Sequence, residues 1–471
     1  LLTGLEERWQ VVCFPGQGNY DRLYACTDAA GQALLYRSRS RAAPFLLEVN
    51  CDPARLGLTS YPTARRYAAV PLCQHLLGYL DSTGHGAAGL EKALDAVLSG
   101  TGEHSSLVCA VTAQGTLRTG ETPQLLRADS GALGVQLTIS RPVQRAVEAV
   151  AASTMKSGCI LVLDTATAAV RASVSAPGYD PEHLVDSLQA ANSPFLNRAM
   201  QSYAVGSVFK PVLAAAALEA GLQPVFECTG AVVVDGQIFR CAGGVPHGQV
   251  DLAAALEKSC NGYFIRLGQQ LGAESLLDAA KAFGFGQSLP LAEGLAAEAG
   301  QLPAPQELAQ SGQLANFSFG QGSLLATPLQ VAELFNTIAA DGVYRAPYVL
   351  QATLDETTGQ PMETLSHPRG RRVLPAQSAA LLRDMLVQVV QQGTAQDAAG
   401  LPGGAGGKTG TAQTGQFTPE GTERCNLWFA GFWPAEKPRY TIVVLQDGAV
   451  HTAYSGAAIF AQVCAALEAA G

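Results

Sequence analysis

One serine and one lysine are spaced so that they can act together as a nucleophile and its base. Ser207 and Lys210 lie in the run Ala204-Val205-Gly206-Ser207-Val208-Phe209-Lys210-Pro211, ahead of the alanine-rich stretch 212–220. That stretch predicts a helix, which places Ser207 near a helix N-terminus and Lys210 on the same face. A serine becomes a nucleophile beside a base, and a desolvated lysine can be that base. The pattern predicts a Ser/Lys dyad.

Ser-x-x-Lys is short enough to arise by chance in a chain of 471 residues. Ser153 and Lys156 form a second match, but they end one predicted helix just before the predicted strand 159–164. Ser207 opens a helix instead, where unpaired N–H groups favour negative charge. Its position therefore favours Ser207 as the nucleophile.

A second short motif, Ser259-Cys260-Asn261, lies next to a helical run. The hydroxyl of Ser259 can pass a proton between a lysine and a leaving amine, and the amide of Asn261 can hold a substrate carbonyl. The plain alternative is that Ser259 caps a helix. Taken alone, this motif does not decide between the two.

A third motif, Lys408-Thr409-Gly410-Thr411, begins a predicted strand. A lysine cation beside the hydroxyls of Thr409 and Thr411 suits a substrate carboxylate. Gly410 lets backbone approach backbone, so that an extended peptide can lie along the strand edge. The alternative is a glycine-rich hairpin loop with an ordinary surface lysine.

Length and composition exclude several classes of protein. The length suggests two domains, and a net charge of −9 with only 15% charged residues argues against a nucleic-acid partner. No apolar run reaches the roughly 20 residues that cross a bilayer. Because the chain starts at Leu1, we expect that a leading segment carrying an anchor or signal has been removed.

The eleven cysteines include no Cys-x-x-Cys pair, and the seven histidines lack ligand spacing. We therefore predict no metal site and no cofactor. Cys228 and Cys241 flank a strand-like stretch, Ala231–Phe239, and a disulfide between them stays open at this stage.

Residues 1–132 predict a smaller β-rich domain without a nucleophile. Its short β-like runs are Trp9–Phe14, Leu23–Cys26, Ala33–Tyr36 and Phe45–Val49. A glycine-rich loop then leads into a helix whose apolar face is Leu90, Leu94, Val97 and Leu98.

Residues 133–471 predict an α+β domain. A hairpin of strands 159–164 and 170–175 precedes a mostly helical middle, and strands 427–432 and 440–445 with a final helix from about Ser455 complete it. This order predicts an antiparallel sheet covered by helices.

Ser-x-x-Lys, Ser-x-Asn and Lys-Thr-Gly, in this order, are the signature of the penicillin-recognising serine acyltransferases. Over nearly its whole length the chain resembles a class B penicillin-binding protein, whose three boxes match the motifs at Ser207, Ser259 and Lys408. Further stretches that match are Leu77-Gly78-Tyr79-Leu80, Gly89-Leu90-Glu91, Ala176-Pro177-Gly178-Tyr179-Asp180-Pro181, Phe283-Gly284-Phe285-Gly286, Gly320-Gln321-Gly322, Thr327-Pro328-Leu329-Gln330 and Trp428-Phe429-Ala430-Gly431-Phe432.

The resemblance implies a β-lactamase-like transpeptidase fold over 133–471, preceded by a dimerisation-type pedestal over 1–132. It implies a membrane-anchored peptidoglycan D,D-transpeptidase on the extracytoplasmic face, inhibited by β-lactams and partnered with a membrane glycan polymerase. The family's usual Arg-Gly strand near the start is missing or eroded, so elongation, division and sporulation all stay open as pathways.

The resemblance also implies roles for the site residues. Ser207 attacks the penultimate D-alanine of a D-Ala-D-Ala stem peptide after Lys210 takes its proton, and Lys408 supplies positive charge that lowers the pKa of Lys210. Ser259 passes the proton to the leaving D-alanine and Asn261 holds the peptide. The carboxylate meets Thr409 and Thr411, and the backbone N–H groups of Ser207 and Thr411 hold the oxyanion.

Three other functions remain open from the sequence. A β-lactamase or D,D-carboxypeptidase would pass the acyl group to water. A β-lactam sensor would be acylated without turning over a peptide, and a silent scaffold would only bind a wall polymerase.

Overall fold

A computed structural model describes residues 7–13, 20–40, 44–51, 60–64, 67, 71–81, 83–100, 106–114, 118, 120–121, 124–126, 131–181, 183–190, 192–355, 358–367 and 369–470. The chain forms two compact units: Leu1–Pro71 with Asp95–Gly134 and Leu354–Gln360, and Leu72–Leu94 with Val135–Thr353 and Pro361–Gly471. The predicted domain boundary after residue 132 stays a prediction.

The strands, in chain order, are β1 (Glu7–Cys13), β2 (Phe45–Val49), β3 (Ser60–Ala64), β4 (Ser106–Val108), β5 (Gln124–Leu126), β6 (Leu133–Leu137), β7 (Gly158–Asp164), β8 (Val170–Ala176), β9 (Tyr203–Ala204), β10 (Phe226–Cys228), β11 (Ala231–Val234), β12 (Gln237–Arg240), β13 (Gly248–Val250), β14 (Leu289–Ala292), β15 (Leu295–Ala297), β16 (Leu325–Ala326), β17 (Val343–Tyr344), β18 (Leu350–Asp355), β19 (Pro361–Thr364), β20 (Arg371–Arg372), β21 (Gly406–Phe417), β22 (Glu423–Trp433) and β23 (Tyr440–Ala449).

The α-helices are α1 (Tyr20–Tyr24), α2 (Ala29–Ser38), α3 (Gln74–Leu77), α4 (Gly89–Ala93), α5 (Asp95–Ser99), α6 (Arg141–Thr154), α7 (Leu184–Ser187), α8 (Lys210–Glu219), α9 (Leu252–Glu257), α10 (Asn261–Ala282, interrupted at Gly272), α11 (Pro305–Leu308), α12 (Ser311–Ser318), α13 (Pro328–Ala339), α14 (Ala376–Gln391) and α15 (Gly456–Ala470). Short 3₁₀ turns lie at Arg198–Met200, Gly206–Phe209, Ala242–Gly244 and Gln396–Ala398.

The smaller unit contains an antiparallel sheet in the order β2-β1-β3. The strand predictions for Leu23–Cys26 and Ala33–Tyr36 are wrong, because the former begins in α1 and the latter lies in α2. Alanine and leucine favour a helix in α2, and the Asp28 side chain caps it by accepting from the Gly31 N–H at 2.9 Å. The helix predicted through Leu90–Leu98 is divided, since Leu94 leaves helical geometry between α4 and α5.

The larger unit is built on a five-stranded antiparallel sheet in the order β21-β22-β23-β7-β8. Side chains alternate along β23 and face helices on opposite sides. On one face, Thr441 of β23 donates to Asn336 on α13. On the other face, Phe429 of β22, which pairs with Val444 of β23, packs on Phe460 of α15. The predicted α+β class, an antiparallel sheet covered by helices, is confirmed.

Within the helical middle of the larger unit, the predicted single strand Ala231–Phe239 is instead the hairpin β11-β12. Asp235 and Gly236 both have positive φ and turn the chain, as Asp-Gly pairs favour in two-residue hairpins. Among the described residues, none of the helices has the length and apolarity needed to pass through a bilayer.

The segment before Ser207 is fixed through a close backbone contact at Gly320. The Gly206 N–H donates to the Gly320 carbonyl at 2.8 Å, and a Cβ at Gly320 would lie 1.9 Å from the Gly206 oxygen. Gly320 also has a φ of +84°, which side chains disfavour. Position 320 therefore requires glycine for two reasons.

We expect Gly320→Ala to lower the melting temperature several degrees more than Gly294→Ala, because the clash is added to the cost of positive φ. Gly294 is a matched control: its φ is +75° and a Cβ there would meet nothing within 4 Å. Thermal unfolding by circular dichroism measures both, and equal losses would contradict the role of the close contact.

Candidate active site

Ser207 lies in the 3₁₀ turn Gly206–Phe209, directly before α8 begins at Lys210. The prediction that Ser207 opens a helix is confirmed. Phe209 anchors the turn in the core, with its ring centroid 5.3 Å from that of Phe285 and 5.1 Å from that of Phe317. Val208 and Phe209 are buried in the core and Ser207 is half-buried, so the core holds the turn that carries the Ser207 hydroxyl.

The edge strand β21 passes this turn at backbone distance. A Cβ at Gly410 would lie 2.9 Å from Val208 Cγ1 and 3.1 Å from the Val208 nitrogen. A Cβ at Gly206 would lie 2.6 Å from the Thr411 carbonyl oxygen. Glycine at both positions lets the first and third motifs adjoin.

The middle motif forms a tight turn between α9 and α10. Ser259 adopts a φ of +53°, and Cys260 is the N-cap of α10, with its Sγ accepting from the Tyr263 N–H at 3.4 Å. Since Cys260 occupies the cap position, the alternative that Ser259 caps the helix is wrong. The turn places Ser259 and Asn261, the two neighbours of Cys260, against the same lysine.

That lysine is Lys210, whose side chain is fully buried. Its Nζ donates to the Ser259 carbonyl at 2.8 Å, to Ser259 Oγ at 3.1 Å and to Asn261 Oδ1 at 2.7 Å. The Asn261 amide is oriented by donating to the Arg240 carbonyl at 2.9 Å. The first and second motifs thus meet through direct hydrogen bonds.

Lys408 is also fully buried, and it lies in β21 rather than in a surface loop, so the hairpin-loop alternative is wrong. Its Nζ donates to the Thr409 carbonyl at 3.1 Å and to Thr409 Oγ1 at 3.3 Å. Thr394 completes the group, because its Oγ1 is 2.7 Å from Thr409 Oγ1 and 3.5 Å from Lys408 Nζ. No sequence motif marked Thr394, which follows α14 without a recognisable pattern.

Burial disfavours the charged form of both amines. It lowers the pKa of Lys210 to about 7, while the nearby thiols of Cys260 and Cys241 act in the opposite direction. The pKa of Lys408 lies well below its ordinary value, first through burial and then through the positive charge of Lys210. The positive charge of Lys408 was expected to lower the pKa of Lys210, but burial is what lowers it. The repulsion between the two lysines lowers the pKa of Lys408 instead.

The second Ser-x-x-Lys match has a structural explanation. Ser153 lies in the last turn of α6, and its hydroxyl donates to the Val150 carbonyl at 3.0 Å. Helical serines make this local bond commonly. Of the two matches, Ser207 with Lys210 is the one that adjoins the other motifs.

Comparison with known proteins gives one family. A family model described as the penicillin binding protein transpeptidase domain matches residues 158–466. The peptidoglycan D,D-transpeptidase PbpA of Mycolicibacterium smegmatis is 32% identical over 472 residues, which cover 94% of this chain and 88% of PbpA.

Two solved structures have the same fold over most of the chain. The D,D-transpeptidase domain of a peptidoglycan glycosyltransferase from Eggerthella lenta has a TM-score of 0.71 and 26% identity, covering 88% of this chain and 94% of that one. Penicillin-binding protein A from M. tuberculosis, as a ceftriaxone acyl-enzyme, has a TM-score of 0.69 and 26% identity, covering 83% and 89%.

We expect the buried Lys210 to make stability depend on pH. Burial lowers the pKa of Lys210 from its ordinary value of 10.5 to about 7, so between these two pH values the unfolded chain binds more protons at this lysine than the folded chain does. Stability then rises with pH by at most about 1.4 kcal/mol per unit. Chemical denaturation at several pH values measures the free energy of unfolding of the wild type and of Lys210→Met. As pH rises above 7, the free energy of unfolding of the wild type should increase relative to that of the variant. A constant difference would contradict the lowered pKa.

Proposed function

The chain belongs to the penicillin-binding protein transpeptidase family, and on that premise we propose that Ser207 is the nucleophile through which it crosslinks peptidoglycan. The enzyme is a serine-type D,D-transpeptidase that joins stem peptides through an acyl-enzyme, and β-lactams acylate and inhibit it. The observation that carries the assignment of residues is the set of hydrogen bonds from Lys210 to Ser259 and Asn261, one helical turn from Ser207.

Lys210 acts as the general base in this proposal. A base works best when its pKa lies near the working pH, and burial lowers the pKa of Lys210 to about 7. The neutral amine takes the Ser207 proton as Oγ attacks the carbonyl carbon of the penultimate D-alanine. The N–H groups of Ser207 and Thr411 stabilise the oxyanion that forms.

Ser259 completes the proton path. Its hydroxyl is 3.1 Å from Lys210 Nζ, so the proton can pass from the ammonium through Ser259 to the departing D-alanine nitrogen as the peptide bond breaks. Asn261 orients the amine and holds the peptide carbonyl. An amine of a neighbouring strand then attacks the acyl-enzyme, forms the crosslink and releases Ser207.

The carboxylate of the terminal D-alanine binds beside Lys408, Thr409 and Thr411 on the edge strand β21. An arriving carboxylate raises the pKa of Lys408 and favours its charged form. That charge in turn disfavours a proton on Lys210. Substrate binding therefore keeps the base neutral at the moment when it is needed.

The cellular context is also part of the proposal. D-Ala-D-Ala peptides belong to the cell wall, so we place the enzyme at the extracytoplasmic face of the cell membrane. Residues 1–132 serve as the pedestal that meets a membrane glycan polymerase, and residues 133–471 form the transpeptidase domain. The resemblance of the chain to class B penicillin-binding proteins supports both assignments.

We expect Ser207→Ala to abolish covalent labelling by a fluorescent penicillin, because the acylated oxygen is removed. Ser153→Ala is the matched control, since it alters the second Ser-x-x-Lys pair and should label like the wild type. Gel fluorescence and melting curves report labelling and folding. Persistent label on folded Ser207→Ala protein would exclude this serine as the nucleophile.

We expect the second-order rate constant of penicillin acylation to rise with pH and level off above about 7, because only neutral Lys210 accepts the proton. Stopped-flow measurement from about pH 5.5 to 8.5 covers the transition. Melting curves at each pH separate loss of rate from unfolding. A rate that is flat or falls across this range would show that Lys210 is not the base.

A further inference from the structure

Four side chains with metal-binding atoms converge on the middle motif. Within the described residues, Cys228 Sγ is 3.6 Å from Cys241 Sγ and 3.5 Å from His247 Nδ1, and Cys241 Sγ is 3.9 Å from Cys260 Sγ. All four ligand atoms lie within 4.8 Å of one another. The three cysteines are buried free thiols, and His247 closes the side nearer to solvent.

These distances fit the edges of a tetrahedron around one ion. Zinc binds sulfur at about 2.3 Å and imidazole nitrogen at about 2.0 Å, which places sulfurs about 3.8 Å apart and sulfur and nitrogen about 3.5 Å apart. A disulfide would require Sγ atoms about 2.05 Å apart. Three thiolates and an imidazole are ligands for zinc rather than for magnesium or calcium.

The backbone holds the ligands in place without the ion. Cys228 ends β10 and His247 precedes its partner strand β13, where the His247 N–H donates to the Cys228 carbonyl at 3.1 Å. Cys241 follows the hairpin β11-β12, and its N–H donates to the Gly230 carbonyl at 3.0 Å. Two loops and the N-terminus of α10 therefore bring the side chains of Cys228, Cys241, His247 and Cys260 together.

Backbone N–H groups also point at the sulfurs. The Tyr263 N–H donates to Cys260 Sγ at 3.4 Å, and the Gly262 N–H donates to Cys241 Sγ. Both donors belong to the first turn of α10, where N–H groups are otherwise unpaired. Such donors stabilise thiolates and are typical of the surroundings of metal ligands.

We propose that Cys228, Cys241, His247 and Cys260 bind one structural zinc ion that positions Ser259 and Asn261. Three thiol protons leave to solvent as three Zn–S bonds and one Zn–N bond form. The four protein ligands leave no open coordination position, so the ion takes no part in acyl transfer. It ties the β10–β13 segment to Cys260, whose two neighbours hold Lys210.

Zinc content of the purified full chain tests the site and does not depend on the proposed function. We expect one zinc per chain by elemental mass spectrometry, substoichiometric zinc in Cys241→Ala, and one zinc in Cys464→Ala, a matched control at a buried thiol in α15. Cobalt added to the chelator-stripped protein should give the visible absorption of a tetrahedral thiolate site. An intact mass lower by two hydrogens without metal, with peptide mapping that links Cys228 to Cys241, would show a disulfide in place of the ion and overturn the proposal. So would failure of both the purified and the zinc-supplemented chain to bind zinc.

The positioning role has a separate readout. Stripped protein that remains folded by circular dichroism should react with a fluorescent penicillin roughly tenfold or more slowly, because misplacement by about 1 Å can cost about a hundredfold in rate. Returning zinc should restore the acylation rate. If the ion only stabilised the fold, its removal from protein that remains folded would leave the acylation rate unchanged. If the purified chain holds one zinc and removing that zinc leaves the acylation rate unchanged, the zinc site stands and the positioning role is overturned.

Discussion

The site is organised around a buried amine that has no carboxylate partner among the residues that the structure describes. Lys210 is fully buried, and its described hydrogen bonds go to the neutral oxygens of Ser259 and Asn261. Burial lowers the pKa of Lys210 to about 7, and neutral acceptors do not offset that shift as a carboxylate would. Each neighbouring element serves this arrangement: α8 carries Lys210, the turn at Ser259 supplies the acceptors, and β21 brings a second buried lysine.

Much of this arrangement could be predicted because its signals are local. Gly206, Ser207 and Lys210 precede a run of strong helix formers, and the structure begins α8 at Lys210. The hairpin of β7 and β8 follows from two short apolar runs around a polar turn. The third motif was predicted to begin a strand, and the structure places Lys408 to Thr411 in the edge strand β21.

What could not be predicted depends on contacts between distant segments. Thr394 reaches Thr409 across a turn that carries no motif, and the metal-ligand cluster draws its ligands from Cys228 to Cys260 without any Cys-x-x-Cys pair. The expectation of no metal site relied on local spacing, whereas the pairing of β10 with β13 and the cap of α10 create the cluster. In the smaller unit, the apolar content of Ala33–Tyr36 favours a strand, but the Asp28 cap and the helix formers of α2 make this segment helical.

Direct titration of Lys210 tests the central claim most sharply. NMR of protein labelled at the lysine side chains can follow each amine with pH, and Lys210→Arg assigns the signal that disappears. We predict that the Lys210 signal titrates with a pKa of about 7, well below the ordinary lysine pKa of 10.5. A Lys210 amine that is still protonated above about pH 9 would contradict its role as the base at neutral pH.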